Sequence, residues 1–368
     1  MDERLPDLPR KGRGAVSNRT GRYERQRYER VDDGWAAGLV PVAGAEPEDE
    51  PRPLRTTVTL DATRTAIVRN QSPDIPFDRS LNPYRGCEHG CIYCFARPTH
   101  AFLGLSPGLD FETRLLAKPD APQLLAEELR RPGYAVEPLA LGTNTDPYQP
   151  IEREHKITRG VLEVLRDFNH PVCITTKSAV VTRDLDILGP MAAKGLARVA
   201  ISVTTLDPAL ARAMESRAPR PGRRLEAIRT LAQAGVPTAV MTAPIIPALN
   251  DAEIERVLEA ARAAGATSAG YVLLRLPLEI KDLFREWLAA HFPARASHVL
   301  SLIREMRGGR LNDPNFGSRF SGQGPYAEMI RRRFRLACKR LGLNQRDWSL
   351  DCTRFKPPPR PGDQLSLL

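Results

Sequence analysis

The alternation of strand-like and helical segments through the middle of the chain constrains the fold more than any other sequence feature. Short apolar runs rich in β-branched residues recur between residues 139 and 274, and segments with helical spacing separate them. This alternation is typical of βαβ units and a parallel sheet. The strand-like runs cover 139–143, 171–176, 197–205, 237–245 and 268–274, and the helical segments cover 157–168, 183–195, 224–235 and 251–265.

A cysteine-containing segment upstream supplies the first unit of this series and brings the count to six β/α units. The pattern predicts an α/β fold with an incomplete or open barrel, although a doubly wound sheet fits it nearly as well. A chain of 368 residues is long enough to bury a large core around such a sheet.

The segments on either side of this region have a different character. The first 55 residues or so are rich in Arg, Asp, Glu, Gly and Pro and lack periodicity, which predicts a flexible or loosely attached arm. Within it, residues 12–24 are not of low complexity and are a candidate docking segment. We expect a largely irregular N-terminal arm at 1–74, the barrel at 75–290, a helical extension at 291–356 and a flexible Pro-rich tail at 357–368.

Three cysteines occur within eight residues in the segment NPYRGCEHGCIYCFARPTH, which spans residues 82–100. Thiolate is the soft ligand that iron–sulfur clusters select. Cys87, Cys91 and Cys94 are spaced C-x3-C-x2-C, and three thiolates on one short loop hold three irons of a four-iron cluster. The fourth iron then keeps an open position, as a catalytic metal requires. A zinc site with His89 or His100 as the fourth ligand is the alternative, although zinc motifs usually contain a second nearby Cys or His pair.

The remaining cysteines and the apolar stretches indicate in which cellular compartment the protein is found. Cys173, Cys338 and Cys352 are scattered, which does not suggest a disulfide framework. No signal peptide is visible, and the longest apolar stretch, 236–249, is broken by prolines. We therefore expect a cytoplasmic protein that does not enter a membrane.

The motif C-x3-C-x-aromatic-C, in which Tyr93 is the aromatic residue, resembles the signature of the radical S-adenosylmethionine (SAM) superfamily. The resemblance implies a [4Fe–4S] cluster whose open iron is chelated by the amino and carboxylate groups of SAM. It also implies that one electron, from an external reductant, cleaves SAM to methionine and a 5′-deoxyadenosyl radical, which abstracts hydrogen from a substrate. The usual core of the superfamily is a partial (β/α)6 barrel with the cluster loop after its first strand.

The resemblance also assigns residues to the cofactor, because SAM lies across the C-terminal ends of the barrel strands in this superfamily. The end of the second strand corresponds to the amine site, the third to the carboxylate, the fourth to the ribose, and segment 243–247 to adenine. A helix cap for Asp146, a solvated lysine at position 177 and an exposed charged loop around Arg220 and Arg223 are the structural alternatives. The assigned residues are Tyr93, Thr145, Asp146, Lys177, Ser202, Glu215 and Arg217.

Within the superfamily, the chain is most similar to the spore photoproduct lyase-like group, over roughly residues 75–280. The similarity rests on the cysteine segment, GTNTDPYQPIE (142–152), ITTKS and APIIPALND. Segments 12–24 and 317–327 resemble an uncharacterised bacterial branch of that group. Spore photoproduct lyase repairs a thymine dimer in DNA and returns a hydrogen atom from a cysteine near the end of its second strand.

That cysteine is missing here, since residues 137–152 contain none and Thr143 occupies the matching position. The hydrogen-return step of the lyase therefore does not carry over directly. Tyr148 and Cys173 are the candidates to replace the cysteine, and Tyr148 is the residue that we assign to catalysis. A packing role is the alternative for each of them.

Charge patterning suggests a nucleic-acid partner. The formal net charge is +10, which permits binding of DNA or RNA through phosphate contacts. An amphipathic helix with Phe334, Ala337, Cys338 and Leu341 facing inward is the alternative interpretation of the basic segment near the C-terminus. The basic residues of that segment are Arg331, Arg332, Arg333, Arg335, Lys339 and Arg340.

The last five residues resemble the peptide by which bacterial repair proteins bind the sliding clamp; they are Gln364, Leu365, Ser366, Leu367 and Leu368. The leading hypothesis is thus a radical SAM enzyme that acts on a nucleic-acid lesion or modification. Radical chemistry on a protein or small metabolite is the second hypothesis. A non-enzymatic zinc or iron–sulfur nucleic-acid-binding protein is the third.

Overall fold

A computed structural model describes residues 7–24, 54–346 and 349–359. Its main sheet has seven strands in the order β10-β9-β8-β7-β6-β3-β2, and each neighbouring pair from β3 to β10 is parallel. β2 is antiparallel to β3 at one edge. The strands are β2 (Val68–Arg69), β3 (Arg79–Leu81), β6 (Leu139–Leu141), β7 (Val172–Thr176), β8 (Ala197–Ser202), β9 (Thr238–Ile245) and β10 (Ser268–Leu273).

A second sheet of three short strands lies beside the first unit, in the order β1-β5-β4. β1 is parallel to β5, and β4 is antiparallel to it. The sequence did not predict this sheet, because strands of two to four residues leave no periodic signal. Its strands are β1 (Thr57–Leu60), β4 (Tyr84–Arg85) and β5 (Arg114–Ala117).

Helices follow the parallel strands and cover the sheet. Those between the strands are α1 (Asp110–Thr113), α2 (Ala121–Leu129), α3 (Glu152–His155), α4 (Ile157–Asp167), α5 (Leu185–Ala193), α6 (Pro208–Met214), α7 (Pro221–Gln233) and α8 (Ile254–Ala263). The C-terminal helices are α9 (Ile280–His291), α10 (Pro293–Glu305) and α11 (Gly324–Leu341). Short 3-10 helices occupy Arg97–Leu103, Ala179–Asp184 and Asp251–Glu253.

Six parallel strands whose sheet does not close confirm the α/β fold and the partial (β/α)6 barrel. The apolar spacing that predicted each helix also buries it: Val161, Leu162 and Leu165 of α4 are inaccessible and face the sheet. Burying a leucine of this kind contributes about 1.5–3 kcal/mol. The barrel therefore places the carboxyl ends of β3 and β6–β10 along a single edge.

The N-terminal arm differs from its prediction. Arg13 to Ser17 have no regular structure, but they are buried against the first β/α unit, so this part of the arm is not loosely attached. Residues 25–53 lie outside the described residues, and so does the clamp-like peptide at 364–368. None of the helices in the described ranges is both long and apolar enough to cross a membrane.

Helix α11 has the amphipathic form that the alternative interpretation predicted. Phe334, Ala337 and Cys338 are buried, while Leu341 is half-buried. α11 runs parallel to α8, since Arg333 pairs with Glu255 near the start of α8. Near its end, the backbone carbonyl of Leu341 accepts from Arg262.

Candidate functional site

A cavity of about 230 Å³ opens at the carboxyl ends of the barrel strands. All three clustered cysteines line it, and so do residues from the ends of β6, β7, β8, β9 and β10. Other residues that line it include His89, Tyr93, Phe95, Thr143, Asn144, Thr145, Asp146, Thr175, Lys177, Ser202, Met241, Ala243, Pro244, Arg275 and Phe320.

The cysteines of the loop formed by residues 87–94, here called the cluster loop, are unpaired thiols in a buried setting. Burial raises the pKa of Cys91 to about 12 and raises the pKa values of Cys87 and Cys94 as well. A thiolate at this site therefore needs a bound cation to stabilise it, which fits a metal cluster and not a free reactive thiol. Three cysteines converging on one cavity thus fit three irons of a [4Fe–4S] cluster.

The zinc alternative finds no ligand set here. Within the described ranges, no three Cys, His, Asp or Glu side chains are arranged to hold a single metal ion. His89 lies 3.2 Å from Asp146, measured from Nδ1 to Oδ2. His100 is fully buried, and its Nε2 lies 2.9 Å from the backbone carbonyl of Arg114.

Asp146 is held as a carboxylate at the cavity wall. It accepts hydrogen bonds from the Thr176 hydroxyl at 2.6 Å, the Lys177 amide at 2.8 Å and the Tyr148 amide at 2.9 Å. Burial would raise its pKa, but His89 and these donors outweigh burial and lower the pKa to about 2. The anion expected at the amine site is therefore present, and its contact with a bound cofactor stays a prediction.

The loop that follows β6 is tied to the chain leading to the cysteines. Asn82 Oδ1 accepts from the backbone amides of Asn144 at 3.0 Å and Thr145 at 3.3 Å. The Thr145 hydroxyl donates to the carbonyl of Tyr84 at 2.9 Å, so it is committed to the backbone. Thr143, which the sequence resemblance aligns with the cysteine of the lyase, lines the cavity.

Lys177 and Ser202 also reach the cavity from the ends of β7 and β8. The Lys177 ammonium lies 5.7 Å from the centre of the Tyr93 ring. Burial acts to lower the pKa of Lys177, but electrostatic interactions with Cys91 and Glu215 outweigh burial and raise it. Lys177 is thus a fixed cation within the cavity, which suits an anionic group of a bound ligand.

Glu215 and Arg217 are placed differently from their assignment. Glu215 is buried behind the cavity wall, where it accepts from Tyr93 and pairs with Arg224. Arg217 does not line the cavity; its guanidinium lies 3.3 Å from Glu88, and its amide donates to the His89 carbonyl at 3.2 Å. Both residues support the cluster loop from outside, because the chain after β8 crosses that loop.

Arg224 is a site residue that the sequence did not reveal. It is 1% exposed and donates to Glu215, to the Ser202 carbonyl at 3.1 Å and to the Pro219 carbonyl at 2.7 Å. The sequence singled out only its neighbours Arg220 and Arg223, because a run of arginines does not indicate which one is buried. Arg220 and Arg223 are indeed exposed.

The structure does not bring Tyr148 to the cavity. Its side chain is fully buried, and its hydroxyl donates to Asp184 at 3.1 Å. The sequence interpretation placed Tyr148 near the cofactor because it lies two residues after Asp146, but the turn directs its side chain away from the cavity. Cys173 lies on β7, two residues before the cavity-lining Thr175, and accepts from Arg198 at 2.8 Å.

The fold and the cysteine-lined cavity define a class of protein: a partial-barrel enzyme that carries an iron–sulfur cluster. The model of the radical SAM superfamily matches residues 81–261. An uncharacterised protein of Mycobacterium tuberculosis is 37% identical over 279 residues, which cover 74% of this chain and 82% of that protein. An uncharacterised protein of Methanocaldococcus jannaschii is 27% identical over 173 residues, or 47% of this chain and 62% of that protein.

Solved structures show the same fold. A variant of spore photoproduct lyase has a TM-score of 0.56 at 15% identity, with 78% of this chain and 80% of that chain covered. Another variant, with bound AdoMet and dinucleoside spore photoproduct, has a TM-score of 0.54 at 14% identity and the same coverage. The chain belongs to the radical SAM superfamily, and its cofactors are a [4Fe–4S] cluster and SAM.

Proposed function

We propose that this radical SAM enzyme acts on a nucleic-acid lesion or modification, with the substrate entering at the open end of the cavity. When bound, the cluster and SAM supply a 5′-deoxyadenosyl radical that abstracts hydrogen. Cys87, Cys91 and Cys94 would hold the cluster, while Asp146, Lys177 and Ser202 face the space for SAM. The observation that carries the choice of substrate is the chemistry of the cavity mouth.

The mouth combines aromatic rings with an arginine that has no ion-pair partner within the described residues. Phe95 is 50% exposed at one side, and the ring of Phe320 lies at the other. The Arg275 guanidinium lies 4.8 Å from the centre of the Phe320 ring, and its buried Nε has no hydrogen-bond partner among the described residues. Aromatic faces stack on bases and guanidinium groups bind phosphate, so this pairing suits a nucleotide.

The position of Phe320 is fixed by a buried arginine. Arg307 is 3% exposed and donates to the backbone carbonyls of Ser318 at 3.1 Å and Arg319 at 2.9 Å. It also donates to the carbonyls of Leu273 at 3.2 Å and Leu274 at 2.8 Å, at the end of β10. One side chain thus fastens the 317–322 segment to the strand that precedes Arg275.

Cations also predominate along the cavity wall. Its charged side chains are Lys177, Arg275 and Asp146, and the carboxylate of Asp146 already has three donors and His89 beside it. An anionic substrate therefore meets two cations and a single carboxylate whose oxygens already accept three hydrogen bonds. A phosphodiester satisfies this requirement, and the bound dinucleoside in the related lyase structure supports the same class of substrate.

The basic helix supports this proposal less than its sequence suggested. In α11, Arg331, Arg333 and Arg340 pair with Glu328, Glu255 and Glu259. The exposed Arg332, Arg335 and Lys339 have no such partner among the described residues, but α11 runs alongside α8 and none of its residues lines the cavity. They would supply sequence-independent phosphate contact on the flank.

Binding of a fluorescein-labelled oligothymidylate of about ten nucleotides to the reconstituted enzyme tests the proposal. We expect Arg275→Gln to weaken binding by about tenfold, the value of one charge-assisted hydrogen bond. The matched change Arg332→Gln removes the same charge on the flank and should weaken binding by less than about twofold.

Three outcomes would contradict this proposal. If the wild-type enzyme does not bind the oligonucleotide at low salt, the substrate is a protein or small metabolite. If both variants lose affinity equally, the mouth is not the recognition site. If Arg275→Gln weakens binding of SAM instead, the guanidinium serves the cofactor.

The hydrogen-return step is proposed to differ from that of the lyase. The cavity contains a threonine at position 143, and the cysteines that line it are the cluster ligands. Cys173 is the candidate hydrogen donor, although it lies below Thr175 beside Arg198. If Cys173→Ser still transfers deuterium from the solvent to the product, this thiol is not the hydrogen donor.

The C-terminal peptide at 364–368 is proposed to bind a sliding clamp, which would recruit the enzyme to DNA in the cytoplasm. This peptide lies outside the described residues. Retention of the purified clamp by the full chain, and its loss when residues 364–368 are removed, would support the interaction. Equal retention by both forms would contradict it.

A further inference from the structure

The N-terminal segment formed by residues 13–17 packs against the outer side of the cluster loop. Arg13, Ala15, Val16 and Ser17 are each at most 7% exposed, although some seventy residues separate them from the cysteines. A segment of irregular backbone loses conformational entropy when it docks, so contacts of this extent have to offset that cost. None of residues 13–17 is assigned to the cluster or to SAM, so cofactor binding does not explain why this segment docks.

The backbone of Gly14 lies directly against the backbone of Gly90 in the cluster loop. A Cβ atom on Gly14 would lie 1.8 Å from the carbonyl oxygen of Gly90 in the cluster loop. Gly90 has a φ of +65°, and a Cβ on it would lie 2.6 Å from the hydroxyl of Ser216 and 2.8 Å from the carboxylate of Glu112. The backbones approach so closely that only glycine fits at either position.

A buried carboxylate connects this segment to a cluster ligand. Glu112 is inaccessible to solvent and accepts from the amides of Gly14 at 2.9 Å and Ala15 at 2.8 Å. It also pairs with Arg97, which is equally buried and donates to the backbone carbonyl of Cys91 at 2.9 Å. A continuous series of hydrogen bonds therefore runs from residues 14–15 to Cys91.

Arg13 makes a second connection, to the start of the cluster loop. It donates to the carbonyl of Glu112 at 2.9 Å, the carbonyl of Leu54 at 2.5 Å and the hydroxyl of Thr56 at 3.2 Å. The Thr56 hydroxyl in turn donates to Glu88, the neighbour of Cys87. The start and the middle of the cluster loop are thus connected to residues 13–15 of this segment.

We propose that residues 13–17 form an N-terminal brace, a set of positioning residues that fixes the cluster loop and keeps water away from its outer side. None of the five residues lines the cavity, so the brace acts through the loop and not on the substrate. Residues that orient metal ligands through hydrogen bonds commonly change metal affinity by about 10–100-fold. The brace therefore slows the loss of iron from the bound cluster.

Gly14→Ala tests the brace, because its Cβ has no space beside Gly90. Gly222→Ala is the matched control, since a Cβ there meets no atom within 4 Å. In reconstituted full-length protein, we expect a ferrous-iron chelator to bleach the cluster about tenfold faster in Gly14→Ala than in wild type. Trypsin should also cleave after Arg13 faster, while Gly222→Ala matches wild type in both assays.

Release of iron from Gly14→Ala at the wild-type rate would overturn the proposal, whether or not trypsin finds the segment exposed. If Gly14→Ala fails to fold, Arg13→Gln removes three hydrogen bonds without a steric clash, and Lys11→Gln is its exposed control. Faster iron loss in Arg13→Gln alone supports the brace. Equal iron loss in both variants contradicts it.

Discussion

The side of the cavity formed by the cluster loop and the side at its mouth differ in solvent exposure and in the pairing of their charged groups. On the cluster side, Cys87 and Cys91 are 6% and 8% exposed, and buried groups such as Glu112 and Arg97 have their polar atoms engaged. On the mouth side, Phe95 is 50% exposed and the buried Nε of Arg275 has no partner among the described residues.

An unpaired buried donor costs about 1–3 kcal/mol. Both sides contain such groups among the described residues: Nε of Arg275 at the mouth, and Nδ1 of His100 and the Ser216 hydroxyl near the cluster loop. The difference lies in the pairing of charge, since Arg97 pairs with Glu112 whereas Arg275 has no ion-pair partner in the described part of the chain. Charges are paired internally where a cofactor needs fixed geometry and are left unpaired where a ligand is to bind.

The largest effect should come from a cluster ligand itself. Cys91→Ala removes one of the three thiolates, and we expect it to abolish both the cluster absorbance and the release of 5′-deoxyadenosine. Cys338→Ala is the control, since Cys338 is equally buried but lies in α11. Cleavage of SAM by Cys91→Ala would show that the cluster side has been misassigned.

The next effect should come from the pair of Arg224 and Glu215 behind the cluster loop. Arg224→Leu leaves the buried carboxylate of Glu215 without its counter-charge, and we expect the free energy of unfolding to fall by about 3–5 kcal/mol. Arg223→Leu changes an exposed neighbour and should cost less than about 0.5 kcal/mol. Denaturant unfolding of both apoproteins measures the difference. Similar losses would mean that the cluster side is no more tightly built than the surface.

An acid titration should weaken the scaffold that both sides share. His170 is buried before β7, and burial lowers its pKa to about 4 from an ordinary value of 6.5. The unfolded chain therefore binds this proton more readily, and stability is lost as the pH falls from 6.5 to 4, by about 3 kcal/mol at most. His170→Gln should flatten this part of the profile. An unchanged slope would exclude His170 as its source.

The smallest effect should come from the ring at the mouth. Phe320→Leu keeps an apolar side chain but removes the aromatic face, which we expect to weaken oligothymidylate binding by about fivefold, or roughly 1 kcal/mol. Phe316→Leu is the control, because Phe316 is exposed but does not line the cavity. Iron content should not change in either variant. Loss of iron in Phe320→Leu would mean that the two sides are coupled.

Much of the scaffold could be predicted from local patterns. The run at 197–205 contains β8, and the helical spacing at 251–265 contains α8, with errors of a few residues at the ends. The spacing of the cysteines placed them on one loop. Helix caps and strand ends are set by hydrogen bonds that a periodic pattern does not encode, so boundaries were less accurate than elements.

The side-chain assignments were less successful where they depended on burial. Glu215 and Arg224 are nine residues apart in a charged loop, and only the packing of that loop behind β8 makes them a buried pair. Tyr148 follows a cavity residue in sequence but faces Asp184. Arg275 and Phe320 meet across forty-five residues because Arg307 holds the 317–322 segment against β10.

The sequence by itself determined the class of chemistry and the alternation of strands and helices in a parallel sheet, because ligand spacing and strand–helix periodicity are properties of neighbouring residues. It left an open barrel and a doubly wound sheet as nearly equal fits to that pattern. The tertiary structure alone decided which charges are buried, which arginine at the mouth has a buried Nε without a hydrogen-bond partner among the described residues, and that residues 13–17 lie against the cluster loop. These features arise from contacts between segments tens to hundreds of residues apart, and a local pattern carries no information about which distant segments meet.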